Sequence, residues 1–202
     1  MTGKTHMVGG LMAGLTWCAV SPPKDIPEAS IMLFGSIAGS LLPDIDHPQS
    51  KIAKSNILVG TLSRIVSAPE WGHHRRFWHS IWAFIIFGIC GFLLTTLFSQ
   101  GVVFLLSQAG MKATFDVSQY AVLVGMSFLF GSISHGVMDS LTIQGNQWIY
   151  PFKLQLRLLP IQTGSPLETV FRIACTVVSA IAIAALVKAG TFSGIIGDLP
   201  YL

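Results

Sequence analysis

The chain has 202 residues, of which 51% are hydrophobic and only 10% are charged, and its mean hydropathy is +0.65. Soluble domains carry roughly 25% charged residues, so the composition excludes an ordinary soluble domain and predicts an integral membrane protein. The net charge of +3 is too small to indicate nucleic-acid binding, and the length suits a single domain over residues 1–202.

The three cysteines, Cys18, Cys90 and Cys175, stand singly in apolar segments. No Cys-x-x-Cys pair predicts a thiolate metal site, and nothing in the spacing predicts a disulfide framework. We therefore expect all three to be small buried hydrophobic residues.

Two short apolar segments, residues 7–20 and 29–42, open the chain, and a proline-rich break over residues 21–28 separates them. Both are short for a bilayer crossing, which needs about 20 residues. They predict either a tilted pair of helices or a hairpin that dips part-way into the bilayer. Glycine, serine and alanine in the second segment favour close helix packing.

A polar stretch, residues 43–79, follows, and its middle, residues 52–66, has the pattern of an amphipathic helix at the membrane interface. No charged side chain occurs from residue 80 to residue 111. As one helix this run would measure about 48 Å, which is more than one bilayer core and less than two. It predicts one crossing over residues 80–98 with an extension beyond it.

Residues 119–138 predict the next crossing, residues 139–172 form a second polar stretch, and residues 173–187 form the last apolar segment. The predicted fold is an all-α, polytopic membrane protein with about four or five transmembrane or membrane-dipping helices and polar interfacial loops. Because a dip and a pair of crossings both return to the side where they began, both polar stretches share one membrane face.

Basic residues are distributed unequally between the two predicted faces. Nine lie on the face of the polar stretches and three on the other, which by the positive-inside rule makes the first face cytoplasmic. The nine are Lys4, Lys51, Lys54, Arg64, Arg75, Arg76, Lys153, Arg157 and Arg172; the three are Lys24, Lys112 and Lys188.

Residues 41–48, Leu-Leu-Pro-Asp-Ile-Asp-His-Pro, bring Asp44, Asp46 and His47 between two prolines that restrict the backbone. Carboxylate and imidazole donors together suit zinc, manganese or iron(II). The alternative is an ordinary turn, in which Asp and Pro are common. The other histidines favour a metal site, because all six in the chain fall on the same predicted face.

His135 and Asp139 stand four residues apart at the end of a hydrophobic span, where ionisable groups are costly and usually functional. That spacing brings both side chains to one helix face, from which they reach one ion or two adjacent ions. The alternative is a simple hydrogen bond between them. His74 and His79 suit a loop that leads into the next helix, with His79 at the mouth of that helix.

Glu168 and His6 are further candidates with open alternatives. Glu168 follows Ser165 in a Ser-x-x-Glu capping box and precedes Arg172 by four residues, so it is either half of a helix-surface ion pair or a site carboxylate. His6 lies about one turn before an apolar segment and is either a metal ligand or an interfacial residue.

In combination these motifs resemble the YdjM-type bacterial inner-membrane proteins, known as membrane-bound metal-dependent hydrolases. The resemblance covers residues 5–172. It rests on Thr5-His6, on the turn of residues 41–48, on His74-Arg75 to His79-Ser80, on Ser134-His135 to Asp139, on Thr142 to Gly145 and on Gly164 to Glu168.

That family is in turn similar to the zinc-dependent phospholipase C and P1 nuclease group, which holds a zinc cluster with histidines and aspartates. The resemblance implies hydrolysis of a phosphoester at a bacterial inner membrane. The cofactor it implies is Zn²⁺, as two or three ions, with Mn²⁺ or Fe²⁺ as alternatives. A site at the bilayer surface indicates a lipid or other amphiphilic substrate, and no nucleic-acid partner is expected.

The resulting hypothesis is a hydrolase with metal-activated water at the cytoplasmic membrane face. Asp46 or Asp139 is expected to bridge two ions. The ligand candidates are His6, Asp44, Asp46, His47, His74, His79, His135 and Asp139. The catalytic candidates are a general base, Glu168 or Asp44, and an arginine that meets developing negative charge, Arg75 or Arg76.

A non-catalytic metal-binding membrane protein is the alternative function, as a transporter, a sensor or a scaffold. A transporter should carry ionisable groups near the midplane of its spans, whereas here they cluster at one end. A structural zinc site is closed with four ligands, and the candidates exceed that number.

Overall fold

The computed structural model of the protein describes residues 1–47, 49–50, 53–54, 57–67, 76–111 and 118–192. These residues form α-helices joined by 3₁₀ and π-helical turns, and no β-strand occurs among them. The helices are α1 (Gly3–Val20), α2 (Ile26–Ser30), α3 (Ser36–Gly39), α4 (Ile57–Val66), α5 (Ile81–Gln108), α6 (Ala121–Ser140) and α7 (Pro166–Lys188).

Four helical segments are long and apolar enough to cross a membrane: Ile26–Asp46, Ile81–Gln108, Ala121–Ser140 and Pro166–Lys188. The first consists of α2, a π-helical turn, α3 and a 3₁₀ turn in succession. α5 has 28 residues and is about 42 Å long, so the predicted extension beyond one crossing continues the same helix. The predicted all-α, multi-pass fold is confirmed.

The predicted break after the first apolar segment is also confirmed. α1 ends at Val20 and α2 begins at Ile26. Asp25 caps α2, because its side chain accepts a hydrogen bond of 2.7 Å from the backbone N–H of Glu28. Pro27 stands in the first turn of α2, where a missing N–H leaves no helical bond unmade. The chain can therefore reverse and pack α3 against α1.

Small residues let α3 lie very close to α6. A Cβ atom added to Gly131 would collide with the carbonyl oxygen of Ser36 and lie 2.7 Å from the backbone nitrogen of Ser40. A Cβ atom on Gly39 would lie 2.7 Å from the Cα atom of Phe128. The predicted role of these residues in close helix packing is confirmed, and it brings the backbone of Ser40 against α6.

Two local predictions need correction. Cys18 is buried as expected, but Cys175 is only partly buried and Cys90 is exposed on α5. A membrane-spanning helix turns apolar side chains to lipid, so a small hydrophobic residue there needs no protein contact. The interfacial helix begins at Ile57 rather than at residue 52, since residues 53–54 form a turn.

Candidate metal centre

Four separate elements deliver histidine and aspartate side chains to one interior point. α1 supplies His6, the 3₁₀ turn Leu42–Asp46 supplies two aspartates, the 3₁₀ turn Phe77–His79 supplies one histidine, and α6 supplies one residue of each type. The gathered residues are His6, Asp44, Asp46, His79, His135 and Asp139. All are buried except Asp44, whose side chain is 16% exposed.

Four of these side chains form a closed ring of donor atoms. Nε2 of His79 lies 3.7 Å from Oδ1 of Asp44 and 3.8 Å from Oδ2 of Asp139. Nε2 of His135 lies 3.7 Å and 3.6 Å from the same two oxygens. These separations are too long for hydrogen bonds. The separations from both histidines to Asp139 are near the roughly 3.4 Å between neighbouring ligands of a tetrahedral zinc ion, and the donor atoms of His79, His135 and Asp139 all lie within 4.8 Å of one another.

Asp139 turns its two carboxylate oxygens to different histidines. Oδ2 belongs to the ring just described, whereas Oδ1 lies 3.4 Å from Nε2 of His6. Donor atoms of His6, Asp44 and His135 also lie within 4.8 Å of one another. The α-ammonium group of Met1 also lies 2.5 Å from Oδ1 of Asp139. Asp139 therefore has the geometry of a carboxylate that bridges two cations.

Buried ring nitrogens without hydrogen bonds test whether the cluster fits metal ions. In the part of the chain that the structure describes, both ring nitrogens of His6 and Nε2 of His135 are buried and make no hydrogen bond. The two rings stack with centroids 3.7 Å apart and an interplanar angle of 9°. Buried polar atoms normally have a partner. A metal ion would supply one, and the donor set of imidazoles and carboxylates suits zinc, manganese or iron(II).

Two contacts outside the cluster help to position His135 and His79. Nδ1 of His135 lies 2.7 Å from the carbonyl oxygen of Ser40. Because a carbonyl oxygen only accepts, Nδ1 carries a proton, and when the ring is neutral the lone pair of Nε2 therefore faces the cluster. The side-chain amide of Asn146 donates to the carbonyl oxygen of His79 at 3.0 Å. Paired backbone hydrogen bonds of 3.0 and 2.9 Å between Asn146 and Leu156 hold that amide in position.

Asp46 lies on the far side of the His79 ring from the other donors. Its Oδ2 is 3.7 Å from Nδ1 of His79, whereas Nε2 of that ring faces Asp44 and Asp139. This arrangement fits a carboxylate that supports a metal-binding histidine. Burial lowers the pKa of His79 below its ordinary value, which keeps the imidazole neutral and able to bind a metal at pH 7.

Glu168 is buried between α7 and the start of α1 and accepts four hydrogen bonds. Its Oε1 accepts from the backbone N–H and hydroxyl of Thr2 at 2.6 and 2.8 Å and from the hydroxyl of Thr5 at 2.6 Å. Its Oε2 accepts from the backbone N–H of Gly164 at 2.6 Å. The predicted cap is present, since the Ser165 hydroxyl accepts from the N–H of Glu168 at 3.2 Å. Glu168 thus ties α7 to the helix that carries His6.

A cavity of about 630 Å³ opens beside the cluster. Asp44 and the exposed His47 line it, together with Glu168. His74 and Arg75, two further candidates of the sequence analysis, lie outside the described residues. The cavity gives small molecules access to the exposed edge of Asp44.

Sequence reasoning missed two residues that support the site. Ser40 acts through its backbone carbonyl, so no side-chain pattern could have revealed it. Asn146 directly follows the motif from Thr142 to Gly145, and an asparagine next to a glycine was the available signal. In the structure Asn146 is buried and Gly145 has a φ of 69°. His6, by contrast, was a sequence candidate, and the structure places it buried within the cluster.

The fold and the cluster together define a class: a multi-pass α-helical membrane protein with a buried histidine–aspartate cluster whose donor spacing fits metal ions. The chain belongs to the YdjM inner membrane protein family, whose model matches residues 1–196. The uncharacterized protein YvsG of Bacillus subtilis is 28% identical to it over 166 residues, which cover 82% of this chain and 83% of that protein. No solved structure matches the chain.

The family that the motifs indicated is thereby confirmed. The further similarity to the phospholipase C and P1 nuclease group stays a prediction, as do the hydrolytic activity, the metal and the substrate that it implied.

Proposed function

We propose that this protein is a membrane-bound metal-dependent hydrolase that cleaves a phosphoester of a lipid or other amphiphile. The observation that carries the proposal is the buried group of His79, His135 and Asp139, whose donor atoms lie within 4.8 Å of one another, with Oδ1 of Asp44 3.7 Å from both histidines on the cavity side. His6 and Asp139 would hold a second ion, which would replace the α-ammonium group of Met1 beside Oδ1 of Asp139. Zn²⁺ is the proposed metal, with Mn²⁺ and Fe²⁺ as alternatives.

Two divalent ions held here would supply Lewis-acid activation of water and neutralise anionic oxygens of the substrate. His135 and His79 would bind through Nε2; Nδ1 of His135 lies 2.7 Å from the carbonyl oxygen of Ser40, and Nδ1 of His79 faces Oδ2 of Asp46 at 3.7 Å. Asp139 would bridge the ions. These roles need rigid positions, and all of these side chains belong to or directly follow helical segments.

Asp44 is the proposed general base. It is the cluster carboxylate that reaches the cavity, where its side chain is 16% exposed, so it can accept a proton from an attacking water. Glu168 also lines the cavity, but its oxygens already accept four hydrogen bonds. We therefore assign Glu168 the anchoring of α1. Arg75 or Arg76 remains the proposed partner of the charge that develops on the substrate.

The open cavity favours catalysis over a purely structural metal. Structural zinc sites are closed by four protein ligands, whereas catalytic sites leave a position accessible to water or substrate. The cluster lies at the ends of the spans and not at their midplane, which also disfavours a transporter. The excess of basic residues on this face supports a cytoplasmic orientation.

The proposal is tested on protein purified in a neutral detergent. Elemental analysis should find more than one equivalent of zinc or a similar ion, and a hydrolase screen on phospholipids and isoprenoid phosphates should reveal activity that a chelator removes. His135→Ala should abolish both metal and activity while membrane insertion is retained. Ser134→Ala, on the adjacent position of α6, is the matched control. A protein that binds metal in the wild type but hydrolyses none of these substrates would favour the sensor or scaffold instead.

A further inference from the structure

The cavity beside the metal centre carries two cations from two different helices. Lys4 lies on α1, two residues before His6, and Arg172 lies on α7, one turn after Glu168. Both line the cavity of about 630 Å³ that Asp44 also borders. The cavity is therefore lined by Asp44 of the cluster and by two cationic side chains.

The carboxylates in this cavity do not neutralise those cations. Glu168 is satisfied by Thr2, Thr5 and Gly164, and Asp44 faces the histidines of the cluster. Within the described part of the chain, neither Lys4 nor Arg172 forms an ion pair. Two cations close to a charged site and without carboxylate partners are available to a ligand.

The position of Arg172 also indicates that this side chain is available to a ligand. Among the four segments that can span a membrane, only α7 contains basic residues, and Arg172 lies within it, half-buried, six residues past Pro166. An ionisable residue inside such a segment is costly and usually functional. The neighbouring Thr169 and Gln144 add neutral hydrogen-bonding groups to the same wall.

We infer that Lys4 and Arg172 bind an anionic, phosphate-type group on the headgroup of the substrate, apart from the group held by the metal ions. Arginine and lysine are the side chains that recognise phosphate. A quaternary ammonium headgroup would be repelled by the same pair. The inference rests on the proposed function, and it narrows the substrate class from amphiphiles in general to those whose headgroup is anionic.

Two amphiphiles with the same chain provide the test. Calorimetric titration of the chelator-treated protein in dodecyl maltoside, in which no metal ion can hold the phosphate, should show dodecyl phosphate binding at least about tenfold more tightly than dodecylphosphocholine. Lys4→Gln and Arg172→Gln should each weaken the binding of dodecyl phosphate by about tenfold, since each removes a charge-assisted contact. Lys4→Arg and Arg172→Lys, which keep the charge, should retain most of the affinity.

Lys188→Gln is the matched control, because it removes a cation from the opposite end of the same helix α7. It should leave both dissociation constants unchanged. Equal affinity for the two amphiphiles, or unchanged binding of dodecyl phosphate in both glutamine variants, would overturn the inference.

Inorganic phosphate distinguishes the source of the anion. If it binds with the same dependence on Lys4 and Arg172, the pair accepts free phosphate. If only dodecyl phosphate binds, the pair accepts a headgroup attached to a lipid chain. Either result supports an anion site, whereas binding of neither compound contradicts it.

The same titrations separate this inference from the proposed function. They are repeated on zinc-loaded protein, and metal content is measured in every variant. Cation-dependent binding by a protein that takes up no metal and hydrolyses nothing would remove the proposed function and leave the anion site. Metal-dependent hydrolysis with no effect of Lys4→Gln or Arg172→Gln on binding would support the proposed function and remove the anion site.

Discussion

The Nδ1 atom of His135 lies 2.7 Å from the backbone carbonyl oxygen of Ser40. This contact joins α6 to the end of α3, and it determines which nitrogen of His135 faces the aspartates. It exists because Gly131 leaves no side chain between the two segments. The orientation of the His135 ring toward the aspartates therefore depends on a helix–helix contact between α3 and α6.

Gly131→Ala should weaken metal binding and lower stability. The added Cβ atom would collide with the carbonyl oxygen of Ser36, so α3 would move away from α6 and carry the carbonyl of Ser40 away from His135. Forced overpacking of this kind costs about 1–3 kcal/mol. The measurements are the melting temperature in detergent and the zinc dissociation constant. Gly101→Ala is the control, because a Cβ there would meet nothing within 4 Å. It should neither lower the melting temperature nor weaken zinc binding. Equal effects of Gly131→Ala and Gly101→Ala would contradict the role of the α3–α6 contact.

Asp139→Asn should remove the stabilisation that zinc provides. Asp139 reaches both ion positions, through Oδ1 toward His6 and Oδ2 toward His135, and an amide nitrogen cannot serve as the second oxygen donor. A ligand that binds only the folded state raises the melting temperature. We expect zinc to raise it for the wild type and a chelator to reverse the effect, with no such response in Asp139→Asn. A full zinc response in the variant would exclude a bridging role.

Glu168→Gln should destabilise the protein through the anchoring of α1. The glutamate accepts four hydrogen bonds from groups of Thr2, Thr5 and Gly164. In glutamine an NH₂ group replaces one carboxylate oxygen, so its N–H donors would face these donors and could not accept from them. Hydrogen bonds to charged groups contribute about 1.5–3 kcal/mol each, so we expect the free energy of unfolding to fall by at least about 2 kcal/mol. Chemical denaturation in mixed micelles measures it. Glu28→Gln, which affects one exposed contact to Lys24, serves as the comparison and should have a much smaller effect.

The membrane face on which the histidine–aspartate cluster lies is testable by cysteine labelling. In a protein whose three native cysteines are replaced by serine, Lys153→Cys should react with an impermeant maleimide only after the cells are opened. Lys24→Cys, in the break between α1 and α2, should react in intact cells. These results follow if the face that carries Lys153 is cytoplasmic. The opposite labelling pattern would reverse the proposed orientation.

Much of the candidate site could be anticipated from local sequence. The spacing of His135 and Asp139 predicted a shared helix face, and Nε2 and Oδ2 of these residues are 3.6 Å apart. The turn between two prolines predicted a rigid segment for Asp44, and a 3₁₀ turn is found there. These predictions succeeded because helix periodicity and proline geometry act over a few residues.

Other features were beyond the reach of such reasoning. Asp44 and Asp46 were equally good ligand candidates in the sequence. In the structure Asp44 lines the cavity, whereas Asp46 lies on the far side of the His79 ring. Glu168 was a plausible base from its position alone, and only its contacts to Thr2 and Thr5 revealed an anchor. Each outcome depends on the rotation of a turn or helix relative to distant segments.

By itself, the sequence determined that this chain enters a membrane as apolar helices and that its histidines and most of its carboxylates lie at one end of them. Hydrophobic burial in a bilayer leaves few alternatives for such a composition. Only the tertiary structure decided which atoms meet: the two oxygens of Asp139 with different histidines, the ring of His135 with the carbonyl of Ser40, and Lys4 with Arg172 around one cavity. Those pairings depend on helix contacts between residues far apart in the chain, and pattern within a segment carries no information about them.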